Sequence, residues 1–346
     1  MLNHSEIKKI TDPLNEIPLP GIFKTLNYNH HSPTSAQMES GPFLFQKIIL
    51  NQETRRLLEG NANMMAGVVC NDALQWHYSD DIWKMNPLTK KLQPQKNEKI
   101  TKEAAIQKAV EKFKEYTPVN DTDRHKFEHY QETIPQTIRQ GFLACEKLGA
   151  DKAKKISAED SINHTDNRLQ LPICGRTDMI IQDFGGGDDA TGSGMSRLSV
   201  LEFKTVWQKP MRMRKDGSRG FSKAKLPSNP LVNHLRQLSF YTTSFFSHVC
   251  PCMPYLVYLS ADGYQIFSKE NCADLEPENI KNYYSQLVNR CIRRERLLTR
   301  YSHLNDRDAI IRELIADTEP NFSHPFYWNI GHEFVKQAKE LWSDVR

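Results

Sequence analysis

Two short apolar runs carry the residues with most chemical potential: Gly175-Arg176-Thr177-Asp178-Met179-Ile180-Ile181 and Val200-Leu201-Glu202-Phe203-Lys204-Thr205. An ionisable group inside a buried-type run is costly unless it is paired or holds a metal. In an extended strand Glu202 and Lys204 project from one face, because side chains alternate. If the two runs pair as neighbouring strands, Asp178 meets Glu202 across the ladder. The two carboxylates and the backbone carbonyl of Phe203 then make an all-oxygen site suited to one or two Mg²⁺ or Mn²⁺ ions. Lys204 beside them could orient or help deprotonate an attacking water and stabilise charge on a phosphate. Alone, a Glu-x-Lys spacing reads as a structural ion pair on a half-exposed sheet, so the surrounding pattern decides.

Helices and strands must position these groups. Apolar residues recur at helical spacing from Gln46 to Leu58 and from Ala66 to Trp76. Ala104, Ala105, Ala109, Val110 and Phe113 mark an amphipathic helix over 102–116. A further helix over 123–148 is interrupted or kinked near Pro135. Strand-like runs follow at Lys155–Ser161, Leu169–Asp183 and Leu198–Val206, with a glycine-rich loop over 185–194. A helix over 230–248, a β-hairpin around Asp262-Gly263, a basic helix over 277–303 and a helical tail with an aromatic patch (Phe322, Phe326, Tyr327, Trp328) complete the chain. This order predicts an α/β fold with a central mixed sheet flanked by helices and a substantial helical N-terminal region.

The motifs, taken in order, resemble the RecB-like exonuclease family of the PD-(D/E)xK superfamily, in the style of its phage-type and mitochondrial genome-maintenance members. The resemblance rests on Gly175-Arg176-Thr177-Asp178, then Glu202-Phe203-Lys204, then a helix bearing Gln237-Leu238-Ser239-Phe240-Tyr241. Gln237 and Tyr241 share a helical face. Upstream, Ser32–Phe43 resembles the family's opening helix, and Ala66-Gly67-Val68-Val69-Cys70-Asn71-Asp72-Ala73-Leu74 its G-x-x-x-H-x-A-L helix. Three positions depart from the pattern: Asn71 replaces the histidine, Gly41 the cysteine before proline, and Thr177 the proline.

The resemblance implies a restriction-endonuclease-like core and metal-dependent hydrolysis of phosphodiester bonds in DNA. It makes Asp178, Glu202 and Lys204 catalytic, with Gln237 and Tyr241 packing over the site. A further metal ligand is expected from the preceding strand, with Glu159 the candidate and Asp160 its competitor. The implied reaction is exonucleolytic, on single strands or free ends, in replication, repair or recombination and alongside proteins of those processes. A structure-specific endonuclease with the same metal site, or an inactive nuclease fold that binds DNA, stays open, since Asn71 cannot act as an imidazole.

Composition sets outer bounds. The 346 residues carry a net charge of only +4, but 209–225 hold seven basic residues against the single acid Asp216. Arg212, Arg214, Lys215, Arg219 and Lys223 in that segment, with Asn71, are candidate DNA contacts. Five arginines on the later helix, Arg290, Arg293, Arg294, Arg296 and Arg300, form a second candidate backbone contact or a solvated face. No window is apolar enough to span a membrane, and the N-terminus lacks a secretory h-region. The odd count of seven scattered cysteines fits reduced thiols in a cytosolic compartment, and their spacing argues against an iron–sulfur cluster. The resemblance implies that the compartment is the cytoplasm of a bacterial or phage-infected cell. The expected organisation is an irregular arm over 1–30 and one nuclease domain over 31–346: helices to 150, catalytic core 151–270, C-terminal helices from 271.

Overall fold

Element boundaries follow local capping and turn chemistry in this computed structural model, which describes residues 19–51, 53–54, 58, 60–86, 92–183, 197–212, 220–246 and 252–345. In chain order the elements are α1 (Gly21–Thr25), α2 (Ser40–Phe43), α3 (Ala62–Tyr78), β1 (Asp81–Met85), β2 (Leu92–Lys96), α4 (Lys102–Lys114) and α5 (Asp121–Lys147). Strands β3 (Lys155–Ala158), β4 (Ser161–His164), β5 (Ile173–Arg176), β6 (Met179–Asp183) and β7 (Arg197–Thr205) follow. Then come α6 (Val232–Phe246), β8 (Cys252–Ser260), β9 (Gly263–Phe267), α7 (Pro277–Thr299), α8 (Arg307–Ala316), α9 (Pro325–Trp328) and α10 (His332–Asp344). The side chains of Thr101, Asn120 and Asp306 accept the orphan amides of Ala104, Asp123 and Ala309, starting α4, α5 and α8. Among the described residues no helix is long and apolar enough to cross a membrane.

The chain divides into two compact units. The first comprises Ala62–Ile162 and Gly175–Tyr284 and contains a seven-stranded sheet of order β2-β1-β3-β6-β7-β8-β9. The β1–β3 and β7–β8 pairs are parallel and the others antiparallel, so the sheet is mixed. Parallel neighbours need a crossover, and β7 returns to β8 through α6, which packs on both. Alternation along β7 sends Leu201 and Phe203 into a core with Leu74 of α3, Phe113 of α4 and Ile134 and Ile138 of α5. The intervening residues Glu202 and Lys204 fall on the other side of the strand, where α6 lies. Gly67 lets α3 approach β7 closely, since a Cβ there would stand 3.0 Å from the Thr205 hydroxyl.

The second unit comprises Leu14–Asn61, Asn163–Cys174 and Ser285–Arg346. Its core gathers Phe23, Leu26, Phe43 and Phe45 with Leu298, Ile310, Leu314 and Trp342.

Several elements differ from the sequence expectations. Residues 21–28 are not an irregular arm: Gly21–Thr25 is helical, and Ile22, Phe23, Leu26 and Tyr28 are buried. The helix expected over 46–58 is broken in two: a π-helical stretch, Leu44–Ile49, stops where Leu50 turns extended, and residues 53, 54 and 58 are again helical. Helix α5 runs through Pro135 without interruption. The glycine-rich loop over 185–194 lies outside the described residues.

Candidate functional site

Strands β6 and β7 pair antiparallel with Met179 opposite Leu201, which brings the residue before Met179 level with Glu202. Asp178 uses that position: its Oδ2 accepts the Phe203 amide at 2.7 Å. Glu202 is 1% exposed, and its Oε1 accepts a hydrogen bond from Lys204 Nζ at 2.7 Å. Its other oxygen, Oε2, is buried and meets no hydrogen-bond partner. Lys204 Nζ also donates to Gln237 Oε1 at 2.9 Å, and Gln237 Nε2 donates to the Tyr241 hydroxyl at 3.1 Å. One turn of α6 therefore fixes the lysine from above, as the i,i+4 spacing of Gln237 and Tyr241 suggests. Gly175 makes room for that turn: a Cβ there would stand 2.8 Å from the Tyr241 ring and 3.1 Å from Phe240.

The electrostatics expose an imbalance. Burial, then the Glu202 charge, lifts the Asp178 carboxyl well above the ordinary range, against the pull of Lys204 and the Phe203 amide. Burial likewise raises Glu202, although Lys204 opposes it. Burial alone would depress Lys204, but the charges of Glu202 and Asp178 outweigh it and hold the ammonium form. Two buried carboxylates thus share one cation, leaving one negative charge unmet. Burial and the Glu202 charge push the Tyr241 phenol far up, so it stays protonated.

Glu159 and Asp160 occupy the turn between β3 and β4, and they separate sharply. Glu159 has a φ of 56°, in the left-handed region that costs a side-chain-bearing residue about 1–2 kcal/mol. Its amide donates to Thr177 O at 3.0 Å, and Thr177 N donates to Asp160 O at 3.1 Å, so the turn is tied to the residue before Asp178. Glu159 Oε1 accepts Gln75 Nε2 at 3.0 Å, and the same Nε2 reaches Asp178 O at 3.2 Å. Gln75 thus links Glu159 to Asp178. Asp160 instead bonds the side chains of Ser157 and Trp83, its Oδ2 is buried without a partner, and burial pushes its carboxyl to about 7.

Sequence reasoning missed Gln75, which is 3% exposed on α3, one turn beyond Asn71. The available signal was that i,i+4 relation to a position already singled out. Asn71 itself bonds none of the site carboxylates, and its Oδ1 is buried without a partner. His234 packs rather than facing outward: Nδ1 meets the Tyr258 hydroxyl at 2.8 Å, and burial lowers its pKa to about 3.

Of the basic segment, Arg212 and Lys223 are exposed, while Arg214, Lys215 and Arg219 lie outside the described residues. The base of the segment is anchored: Pro210 bridges Phe221, whose ring stacks on His129 (centroids 3.7 Å apart) and His125 (4.8 Å) of α5. The six described cysteines are all unbridged.

Among the described residues no three His, Cys, Asp or Glu side chains converge closely enough to cage a metal ion as they stand. The fit to a divalent cation rests on narrower ground: the orphaned Glu202 Oε2, the facing Asp178 and the unmet negative charge. Oxygen ligands of this kind suit a hard cation. Compared with known proteins, the chain matches no family model and none of the curated proteins.

Proposed function

We propose that this protein is a divalent-metal-dependent deoxyribonuclease with a RecB-like, PD-(D/E)xK centre, working as an exonuclease. The observation that carries the reading is the buried Glu202 oxygen without a partner, beside a second carboxylate whose proton affinity the first one raises. A carboxylate in that state needs a proton or a cation, and a Mg²⁺ or Mn²⁺ ion answers the charge of both groups. Asp178 and Glu202 would hold the ion, with the Phe203 carbonyl and Glu159 adjoining. When bound, such an ion polarises a phosphoryl oxygen and acidifies water at neutral pH.

The chain's own residues supply the rest. Lys204, kept as an ammonium by the two carboxylates, donates to a phosphate oxygen and orients the attacking water. Gln237 holds the position of Nζ through its carbonyl, and Tyr241 braces Gln237. Gln75 holds the strained Glu159 against Asp178. The exposed Arg212 and Lys223, with the rest of the 209–225 segment, track the phosphate backbone.

The test is degradation of end-labelled single- and double-stranded DNA in Mg²⁺, Mn²⁺ or EDTA, with Lys204→Ala alongside. Metal-dependent shortening from an end, absent in EDTA and in the variant, is the expected result. Cleavage of closed circular DNA would replace the exonuclease with an endonuclease. Tight DNA binding without cleavage in any metal would reduce the protein to a binding module.

A further inference from the structure

The second unit contains an arginine-lined cavity of 570 Å³, bounded by Ala36–Gly41, by Arg290, Arg293, Arg294, Leu297 and Arg300 of α7 and its C-terminal end, and by Asp317–Glu319. Arg293 and Arg294 follow Arg290 by three and four residues and Arg300 follows Arg293 by seven, which lays them along one side of the helix. Their states differ. Arg300 is paired with Asp317. Arg294 is 7% exposed; it donates to Ser35 O at 2.8 Å and Met38 O at 3.2 Å and lies 3.7 Å over the Phe43 ring. Its remaining bond goes to the Tyr28 hydroxyl, so all its partners are neutral acceptors.

A buried guanidinium without a carboxylate is an unneutralised charge. Glu295 beside it in sequence is fully engaged elsewhere, with His31 and the amides of Gln170 and Leu171. Arg290 is close enough to disfavour the Arg294 charge. Among the described residues the side chains of Arg290 and Arg293 form no ion pair or hydrogen bond. Three guanidiniums without an ion pair of their own therefore line one cavity, outnumbering the carboxylates of Glu39 and Glu319 on its other walls once Arg300 and Asp317 are paired.

We infer that this cavity binds a phosphomonoester carried on a nucleotide, either free or at the end of a strand. A carboxylate has two oxygens and suits one arginine fork; a terminal phosphate offers three oxygens and close to two charges, enough for three guanidiniums. The volume falls within the range of small-molecule sites. Glu39 on another wall adds a carboxylate acceptor. That acceptor suits a nucleotide, whose sugar hydroxyl and base amino groups donate, and disfavours a bare polyanion. The site is independent of the carboxylate centre and needs no metal.

The test uses the full chain in EDTA, which separates this site from the proposed metal centre. Calorimetric titration with deoxyadenosine monophosphate is compared with deoxyadenosine, and fluorescence anisotropy compares one short oligonucleotide with a phosphate or a hydroxyl at its end. The monophosphate should bind at least about tenfold more tightly than the nucleoside, and Arg290→Gln with Arg293→Gln should cost about tenfold per arginine. A rise in melting temperature with the monophosphate but not the nucleoside, at matched ionic strength, checks the wild-type chain without any variant. A phosphorylated strand binding more tightly than the free nucleotide assigns the site to strand ends; equal binding assigns it to free nucleotides. Indifference of the affinity to the phosphate, or to the double substitution, overturns the inference.

Discussion

Glu202 and Glu295 are both buried glutamates on regular elements, 1% and 4% exposed, and they are treated in opposite ways by their surroundings. Glu295 on α7 is saturated. It accepts His31 Nε2 at 3.1 Å, the Gln170 amide at 3.0 and 3.1 Å, and the Leu171 amide at 2.9 Å. His31 donates as a neutral imidazole, since burial lowers its pKa and its Nδ1 takes the Tyr28 hydroxyl. Glu202 on β7 has one oxygen on Lys204 and the other on nothing. A carboxylate that stabilises a fold looks like the first; a carboxylate kept for a ligand looks like the second. An orphaned oxygen alone does not make that separation, since Asp160 Oδ2 is also buried without a partner; at Glu202 the facing Asp178 carboxylate is the added feature.

Substitutions at the two positions should break the comparison cleanly. Glu295→Ala strands two buried donors, His31 and the Leu171 amide, and the part-buried Gln170 amide, and should cost about 4 kcal/mol of stability, read from denaturant unfolding. Glu202→Gln should leave stability within about 1 kcal/mol of the wild type, because a neutral amide still accepts from Lys204. The same change should lower metal-dependent DNA degradation about a hundredfold or more, equivalent to about 2.7 kcal/mol. Comparable destabilisation by both changes would erase the distinction.

Asp160 sharpens it through pH. Its folded-state pKa of about 7 lies above the ordinary value of 3.8, so the native state holds the proton more tightly than the unfolded chain. Its contribution to stability is therefore present at low pH and lost as pH rises from about 4 through about 7. Asp160→Asn should remove that slope, on the order of 4 kcal/mol across the window, in unfolding curves compared with the wild type. A slope unchanged in the variant would show that Asp160 is not the titrating group.

Gln75→Ala is expected to have the smallest effect. Freed from Gln75, Glu159 can relax, and DNA degradation should fall about tenfold while melting shifts little. An activity equal to wild type would make Gln75 a packing residue only.

Much of the site was legible because strands and helices have short periods. Glu202 and Lys204 share a face by alternation, Gln237 and Tyr241 by one helical turn, and both relations appear as direct bonds. The antiparallel β6–β7 pairing was legible from the apolar runs. What escaped depends on tertiary approach. Gln75 matters only because a left-handed turn at Glu159 brings that carboxylate to α3, and no local pattern announces such a turn. Residues 21–28 read as an arm because proline and asparagine dominate their neighbourhood, which hid four apolar side chains that complete the core of the second unit. The π-helical pitch at Leu44–Ile49 likewise follows from packing rather than from propensity. Gly175 was noticed as part of a motif, but its physical reason, the closeness of the Tyr241 ring, required the packed helix α6.

The most direct measurement of the central claim is Mn²⁺ binding to the full chain, followed by electron paramagnetic resonance of the free ion. The wild type should take up one or two ions and Glu202→Gln should lose them, with Lys204→Ala still binding. Equal uptake by wild type and Glu202→Gln, or none by either, would contradict the claim that the orphaned carboxylate oxygen on β7 is kept for a cation.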